Sequence, residues 1–302
     1  MPATVEAESR IGLVGVGNMG GRIARRLLDS GCTLLGYDTD AERLDPAGVP
    51  GTESLAALVR ESDVLLLSLP DSRVIEAVVY GEDGVLANCR AGQIVVDLST
   101  ASPKSTVAIH RELSARGVEL VDAGISGGAS AAERGTLSIM AGGSPEALES
   151  VRWILERFSA HIFHMGPSGA GHTAKVLNNF LNGVSLAATA EVMVVARKAG
   201  LDLGQLLEVL NSSSGVNFAT LNRFPSIVKG DYLEGGLTGE LMEKDIMLYI
   251  DLTQDLSVPT LNAVGCLATF RAANALGYGD QISNRVVDAL GDLAGGIRLQ
   301  GP

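Results

Sequence analysis

The chain has 302 residues, a formal charge of −12 and 46% hydrophobic content, enough for about two domains with real cores. That acidity, with an aromatic content of only 4%, excludes the basic, base-stacking surfaces of nucleic-acid binders and the basic patches drawn to anionic membranes. Three dispersed cysteines, Cys32, Cys89 and Cys266, form no CxxC pair and read as reduced thiols of a cytoplasmic protein, without a disulfide frame or zinc site.

Met1–Arg10 is polar and acidic, which is not the pattern of a signal peptide. Ile11–Val14 is an apolar run that feeds into Gly15-x-Gly17-x-x-Gly20. A helical pattern follows (Ile23, Ala24, Leu27, Leu28), then Gly31, then a second apolar run, Thr33–Tyr37, ending in Asp38. Asp38 lies 38 − 20 = 18 positions beyond Gly20. This β-α-β unit predicts a dinucleotide site. Gly15 makes the tight turn, Gly17 admits a pyrophosphate to the backbone, and Gly20 lets helix and strand pack closely. Asn18 and Met19 open the helix whose N-terminal N–H groups face the anion. Asp38 is placed to accept hydrogen bonds from the adenosine ribose and to repel a 2′-phosphate, so NAD is expected over NADP. Arg43, five residues on, is the one nearby cation that could partly compensate.

Further elements alternate. A helix is predicted near Ser54–Glu61, a buried strand over Val64–Leu69 stopped by Pro70, a helix around Val74–Tyr80 and a strand over Gln93–Asp97. Ser102 and Pro103 supply N-cap and first-turn residues for a helix to about Ala115. Strand Glu119–Asp122 leads into a predicted loop, Ala123–Gly135, and Leu137–Met140 reads as another strand. Ser144-Pro145 starts a helix, and His161–Met165 is the last strand-like run, its two histidines read as buried or edge residues rather than metal ligands. The expectation is an α/β Rossmann-type, doubly wound, mostly parallel sheet over residues 1–166, followed by an all-helical second domain over 167–302. The apolar stretch Phe180–Ala196 is broken by Asn182, Ser185, Thr189 and Glu191, and reads as a buried helix rather than a bilayer span. Gly295–Pro302 reads as a frayed tail.

Two features carry chemistry beyond the dinucleotide. His172, Lys175, Asn179 and Asn182 are spaced 3, 4 and 3 apart, so a helix places all four on one face, and in an apolar helix that stripe needs partners or a ligand. Ser126-Gly127-Gly128, after the strand ending at Asp122, can offer consecutive N–H groups as an anion-binding nest.

With these residues, the chain resembles the β-hydroxyacid dehydrogenase family, which includes 3-hydroxyisobutyrate dehydrogenases. The resemblance runs nearly end to end: Gly12–Gly20, Leu69-Pro70-Asp71, Asp97-Leu98-Ser99-Thr100 with Pro103, Asp122–Gly128 with Gly135-Thr136-Leu137, Gly171–Asn179, and Lys244-Asp245. It implies that Lys175 is the catalytic acid/base, that Asn179 positions the reacting oxygen, and that Ser126, Gly127 and Gly128 hold a substrate carboxylate. It further implies that Thr100 and Lys244 line the nicotinamide end of the site, with Lys244 also near substrate, while Leu69 and Pro70 pass along the dinucleotide. The implied reaction is NAD(P)-dependent interconversion of a small anionic hydroxyacid and its aldehyde or keto acid by a homodimer or homotetramer. Small residues Gly183, Ala187, Ala188 and Ala190 suit close helix packing. A lysine base needs its pKa brought down from about 10.4, and partial burial with a neighbouring cation would do so.

Three positions depart from the family's pattern. Gly124 stands where proline is usual, which is expected to loosen the loop. Ala129-Ser130-Ala131 replaces a glycine-containing segment, and Leu237 stands near a usual aromatic. Imine reductases share the architecture but typically carry another residue at the lysine position, so Lys175 argues against that alternative. A non-catalytic dinucleotide-binding protein would be expected to lose the lysine, the asparagine or the glycine nest. Related decarboxylating enzymes carry a glutamate seven residues after the lysine, where this chain has Asn182.

Overall fold

A computed structural model describes residues 9–300, and the chain divides into two compact units, Met1–Lys175 and Val176–Pro302. The first unit holds strands β1 (Ile11–Val14), β2 (Leu34–Tyr37), β3 (Val64–Leu67), β4 (Ile94–Asp97), β5 (Glu119–Ser126), β6 (Leu137–Gly142) and β7 (Ser159–Gly166). Its helices are α1 (Asn18–Asp29), α2 (Leu44–Ala47), α3 (Leu55–Glu61), α4 (Ser72–Tyr80), α5 (Val85–Asn88), α6 (Pro103–Ser114), α7 (Gly128–Arg134) and α8 (Pro145–Leu155). The strands form one sheet in the order β2-β1-β3-β4-β5-β6-β7, parallel throughout except where β5 meets β6.

Strand residues alternate between two cores because successive side chains leave a sheet on opposite faces. Leu66, Val96 and Val121 enter the core that α1 seals with Ile23, Ala24 and Leu27. Leu65, Leu67, Val95 and Leu120 enter the other, under Leu58 of α3 and Ile109 and Leu113 of α6. Hydroxyl and carboxylate caps start the helices. Ser54, Asp71, Ser102 and Ser144 each accept an N–H from the first turn of α3, α4, α6 and α8.

The predicted loop after Asp122 is not a loop. β5 continues to Ser126 because β6 supplies an antiparallel partner, pairing Ala123 with Ala141 and Ser126 with Ser138, and α7 occupies Gly128–Arg134. Gly124 therefore sits inside a paired strand opposite Met140 and loosens nothing. β7 is an edge strand, and His161 and His164 are exposed on it.

The second unit is helical. It is built on α9 (Ala170–Lys198), whose first residues belong to the first unit, with α10 (Leu203–Asn211), α11 (Phe218–Asn222), α12 (Phe224–Ile227), α13 (Gly239–Asp255), α14 (Ala263–Ala273) and α15 (Val286–Leu293). α9 is long and apolar enough to cross a membrane by length and composition, yet Leu186, Ala190 and Met193 are buried in the core of this unit. Gly183 lets α13 and α14 approach: a Cβ there would lie 3.1 Å from Met242 Sδ and 3.5 Å from Cys266 Sγ. That burial pushes the Cys266 thiol up to about 12, leaving it inert. The described part of the C-terminal segment is not frayed. Leu299 is buried and Gln300 Nε2 donates to the Ile227 carbonyl at 2.6 Å, while Gly301 and Pro302 lie outside the described residues, as do most of Met1–Arg10.

The start of α9 is fixed from the sheet. Asp122, fully buried in β5, accepts Gly169 N–H on Oδ1 at 2.7 Å and His172 N–H on Oδ2 at 2.8 Å. The backbones approach so closely that a Cβ on Gly171 would fall 2.3 Å from Asp122 O, 2.5 Å from Met140 O and 2.7 Å from Gly142 N. All three neighbours are main chain and cannot swing aside. Gly171→Ala should therefore cost about 3 kcal/mol or more in urea unfolding, at the upper end of overpacking penalties; a loss under about 0.5 kcal/mol would contradict this contact.

Candidate active site

In the first unit, the residues singled out in the sequence gather at the carboxyl edge of the parallel strands. Gly15 follows β1, Leu69 and Pro70 follow β3, Thr100 follows β4, and Ser126 ends β5. This edge is where open α/β sheets hold their ligands.

The turn after β1 has the shape a dinucleotide needs. Gly15 has φ +89°, and Gly20 sits so close beneath it that a Cβ would lie 2.0 Å from Gly15 O. Gly17, by contrast, has open space; a Cβ there would meet only Arg43 Nη1, at 3.6 Å. Gly17 is also the N-cap of α1 and offers no side-chain cap, and no acidic residue occupies the first turn. The amide groups of Asn18, Met19 and Gly20 thus begin a helix whose positive end faces the loop. These residues fit a bound pyrophosphate.

Asp38 is held by the same turn. Its Oδ2 accepts Val16 N–H at 2.8 Å and its Oδ1 accepts Asp40 N–H at 3.0 Å. Arg43 does not offer a free cation: its Nε donates to Asp40 Oδ2 at 3.1 Å, and its Nη1 stands 3.9 Å from Asp38 Oδ1. Leu69 N–H donates to Ser99 Oγ at 3.0 Å, tying the loop after β3 to the one bearing Thr100.

Lys175 is buried, and its aliphatic stem lies over β5. A Cβ on Gly124 would come within 2.6 Å of Lys175 Cβ and 2.8 Å of Cγ. Glycine at 124 is thus the space in which the lysine stem runs. Two residues on, half-buried Ser126 is followed by exposed Gly127 and Gly128, with φ +128° and +71°.

The polar stripe does not act as one group. His172 is fully buried and satisfied, with Thr106 Oγ1 2.7 Å from Nδ1 and Nε2–H donating to the Asp97 carbonyl at 3.3 Å. In the second unit, Asn179 Nδ2 donates to Asp245 Oδ2 at 2.5 Å and Asn179 Oδ1 accepts from Asn178 Nδ2 at 3.2 Å. Lys244 Nζ lies 3.0 Å from the other oxygen of Asp245. Asn182 Oδ1 accepts from Arg223.

Three residues here were not assigned roles from sequence: Asp122, Asp245 and Arg223. The first two had a signal, an acid closing an apolar strand and an acid beside a lysine; Arg223 had none. Among the described residues no group of three His, Cys, Asp or Glu could hold a metal.

Comparison with known proteins places this geometry. Residues 10–166 match the family described as the NAD binding domain of 6-phosphogluconate dehydrogenase. Residues 169–290 match the one described as NAD-binding of NADP-dependent 3-hydroxyisobutyrate dehydrogenase. The 2-(hydroxymethyl)glutarate dehydrogenase of Eubacterium barkeri is 31% identical over 96% of this chain and 98% of its own length. The NAD-dependent L-serine dehydrogenase of Pseudomonas aeruginosa is 35% identical over 90% of this chain and 94% of its own. The structure of Mycobacterium tuberculosis 3-hydroxyisobutyrate dehydrogenase with L-serine superposes with a TM-score of 0.85 at 28% identity, covering 94% and 99% of the two chains.

Gly124→Ala sets a methyl against the stem of Lys175 without touching the glycine turn at Gly15. The expected result is a fall in kcat of about tenfold or more with cofactor affinity nearly unchanged, the pattern of a misplaced acid/base. Unaltered kcat would show that the stem is free to move.

Proposed function

The chain belongs to the β-hydroxyacid dehydrogenase family, and from that premise we propose that it interconverts a small hydroxyacid and its aldehyde or keto acid, using NAD in preference to NADP. The observation that carries the reading is Lys175, buried and led along β5 beside the Ser126–Gly128 turn. In this reading residues 1–166 bind the dinucleotide and 167–302 carry substrate and assembly surfaces.

The residues divide the work. The turn Gly15–Gly20 with Asn18 and Met19 receives the pyrophosphate, Asp38 faces the ribose, and Leu69, Pro70 and Thr100 border the rest of the cofactor. When bound, the nicotinamide supplies the hydride chemistry. Lys175 Nζ takes the hydroxyl proton in oxidation and returns it in reduction. Asn179, one turn further along α9, retains an N–H for the substrate oxygen, since Asp245 occupies only one of its two amide hydrogens. Ser126, Gly127 and Gly128 receive the carboxylate through N–H and hydroxyl donors, and Lys244 adds positive charge.

Support for NAD comes from the acids around the ribose site. Arg43 is engaged by Asp38 and Asp40, so little positive charge is left to neutralise a 2′-phosphate. A cytoplasmic homodimer or homotetramer completes the reading. Its support is the outward face of α9, where Leu177, Leu181, Val192 and Val195 are exposed.

The test is a panel of C3–C6 hydroxyacids and matched simple alcohols with each cofactor, followed by nicotinamide absorbance. Hydroxyacids should exceed their alcohols by at least about tenfold in kcat/KM, because a neutral substrate forgoes the hydrogen bonds a charged carboxylate makes, about 1.5–3 kcal/mol each. NAD should give the higher efficiency. Equal rates on propanol and 3-hydroxypropionate would sink the carboxylate assignment, and a preference for NADP the Asp38 assignment.

Lys175→Ala should lower kcat by about 10²–10⁴-fold while cofactor binding, read by fluorescence titration, stays nearly intact. A rate within about threefold of the unmodified enzyme would make the lysine structural.

A further inference from the structure

Arg223 lies at the joint between α11 and α12, a segment held in place on both sides. Asn217 caps α11 with both halves of a capping box formed with Thr220, and Pro225 opens α12. The guanidinium is aimed by two amides: Nη1 donates to Asn284 Oδ1 at 2.8 Å and Nη2 donates to Asn182 Oδ1 at 3.0 Å. Asn284 is buried and is itself locked, its Nδ2 donating to the Tyr232 carbonyl at 2.8 Å. This is a rigid mount.

What the mount lacks is a counter-ion. Arg271 pairs with Glu243, Arg285 with Asp288, and Arg298 with Asp292. Among the described residues no carboxylate pairs with Arg223, in a chain with 35 acidic residues. Burial pulls its pKa down to about 10, so it stays charged at neutral pH while only partly exposed to water. Neutral amide oxygens orient a guanidinium but do not neutralise it. A merely structural link between Asn182 and Asn284 would be less costly with an uncharged donor. A fixed, uncompensated guanidinium with planar donors is the arrangement that recognises a carboxylate.

Its position says which carboxylate. Asn182 follows Asn179 by three residues on the same face of α9, a rise of about 4.5 Å along the axis. That is the length of a short carbon chain running on from the reacting carbon. We propose that Arg223, mounted by Asn182 and Asn284, is a specificity-determining residue that binds a second carboxylate, at the end of the hydroxyacid remote from its alcohol. The inference rests on the hydroxyacid reading and narrows it to hydroxy-dicarboxylates. An ammonium at that end would be repelled.

Matched ligands test it. 2-(Hydroxymethyl)glutarate and 3-hydroxyisobutyrate differ in bearing a carboxyethyl or a methyl group at one carbon. Glutarate and butyrate, which differ by one terminal carboxylate, are a simpler pair without a reactive alcohol, and their binding is measured calorimetrically on the holoenzyme. The unmodified protein should bind glutarate at least about tenfold more tightly than butyrate, and the kcat/KM ratio of the hydroxyacids should follow. Arg223→Gln should bring both ratios within about threefold, and Arg223→Lys should restore part of them. If Arg223→Gln fails to unfold cooperatively, Asn182→Asp carries the test. It is isosteric, neutralises the guanidinium from within, and should abolish the glutarate preference. A glutarate preference that is absent in the unmodified protein, or that survives these substitutions, overturns the inference. A preference without turnover of any hydroxyacid would overturn the dehydrogenase reading instead.

Discussion

The carboxylate of Asp122 is the joint on which the candidate site depends. It is buried in β5 with no ion pair to a cation among the described residues, and its charge is balanced by two main-chain N–H groups at the start of α9. A helix N-terminus is a suitable partner, since its unpaired amides and dipole both favour a negative charge. The arrangement fixes the first turn of α9, the part that belongs to the first unit, both in position and in rotation. Gly171 and Gly142 lack side chains where the two backbones pass, and one turn later Lys175 is set with its stem across Gly124. The placement of Lys175 follows from where the sheet holds the beginning of its helix. Removing the carboxylate would leave two buried N–H groups unsatisfied, at about 1–3 kcal/mol each, and would loosen the first turn of α9.

Seven helix starts among the described residues are closed by a side chain: Ser54, Asp71, Ser102, Ser144, Asp202, Asn217 and Thr238 all accept first-turn N–H groups. α1, like the shorter α5 and α7, has glycine at its cap and no acid in its first turn, and it alone of the three is a twelve-residue helix. A capped terminus is satisfied within the fold, whereas α1 keeps its positive end for a ligand. The acid that could have served as its cap, Asp38, reaches Val16 N–H instead, one residue ahead of Gly17. It stiffens the glycine turn without filling it.

These contrasts explain what could be read from the sequence and what could not. The β1–α1–β2 unit was legible because its signals are local: glycine spacing, an apolar run on each side, and an acid at the second strand's end. Helix starts at Ser54, Ser102 and Ser144 were legible for the same reason. The stretch after Asp122 was not. Ala123-Gly124-Ile125-Ser126-Gly127-Gly128 is small and flexible in isolation, and becomes strand only because Ala141, Met140, Ile139 and Ser138 pair with it. The tail failed likewise, since what orders Gln300 is the Ile227 carbonyl, 73 positions away in sequence. The helix-face argument set His172, Lys175 and Asn179 side by side as equals, whereas His172 is closed within the first unit. Periodicity gives a direction around the helix axis, and the partners of His172 are Thr106 and the Asp97 carbonyl.

Charge is distributed in the same selective way. In a chain of net charge −12, many basic side chains meet an acid, including Arg43 at Asp38 and Asp40, and Lys244 at Asp245. Such pairs add little stability at an exposed surface but prevent stray cations from attracting anions indiscriminately. Asp245 shows the more specific use. One of its oxygens faces Lys244 Nζ and the other takes an N–H of Asn179, so a single buried acid fixes both the position of a cation and the orientation of an amide. An asparagine turned the other way would set its oxygen against the acid, and the acid forbids that rotamer because two oxygens would then face each other. The mount of Arg223 uses the converse device, amide oxygens in place of an acid, which fixes direction and leaves the charge unspent. Partnership with an acid or with amides thus separates Lys244, whose charge is balanced by Asp245, from Arg223, whose direction is fixed and whose charge is not balanced.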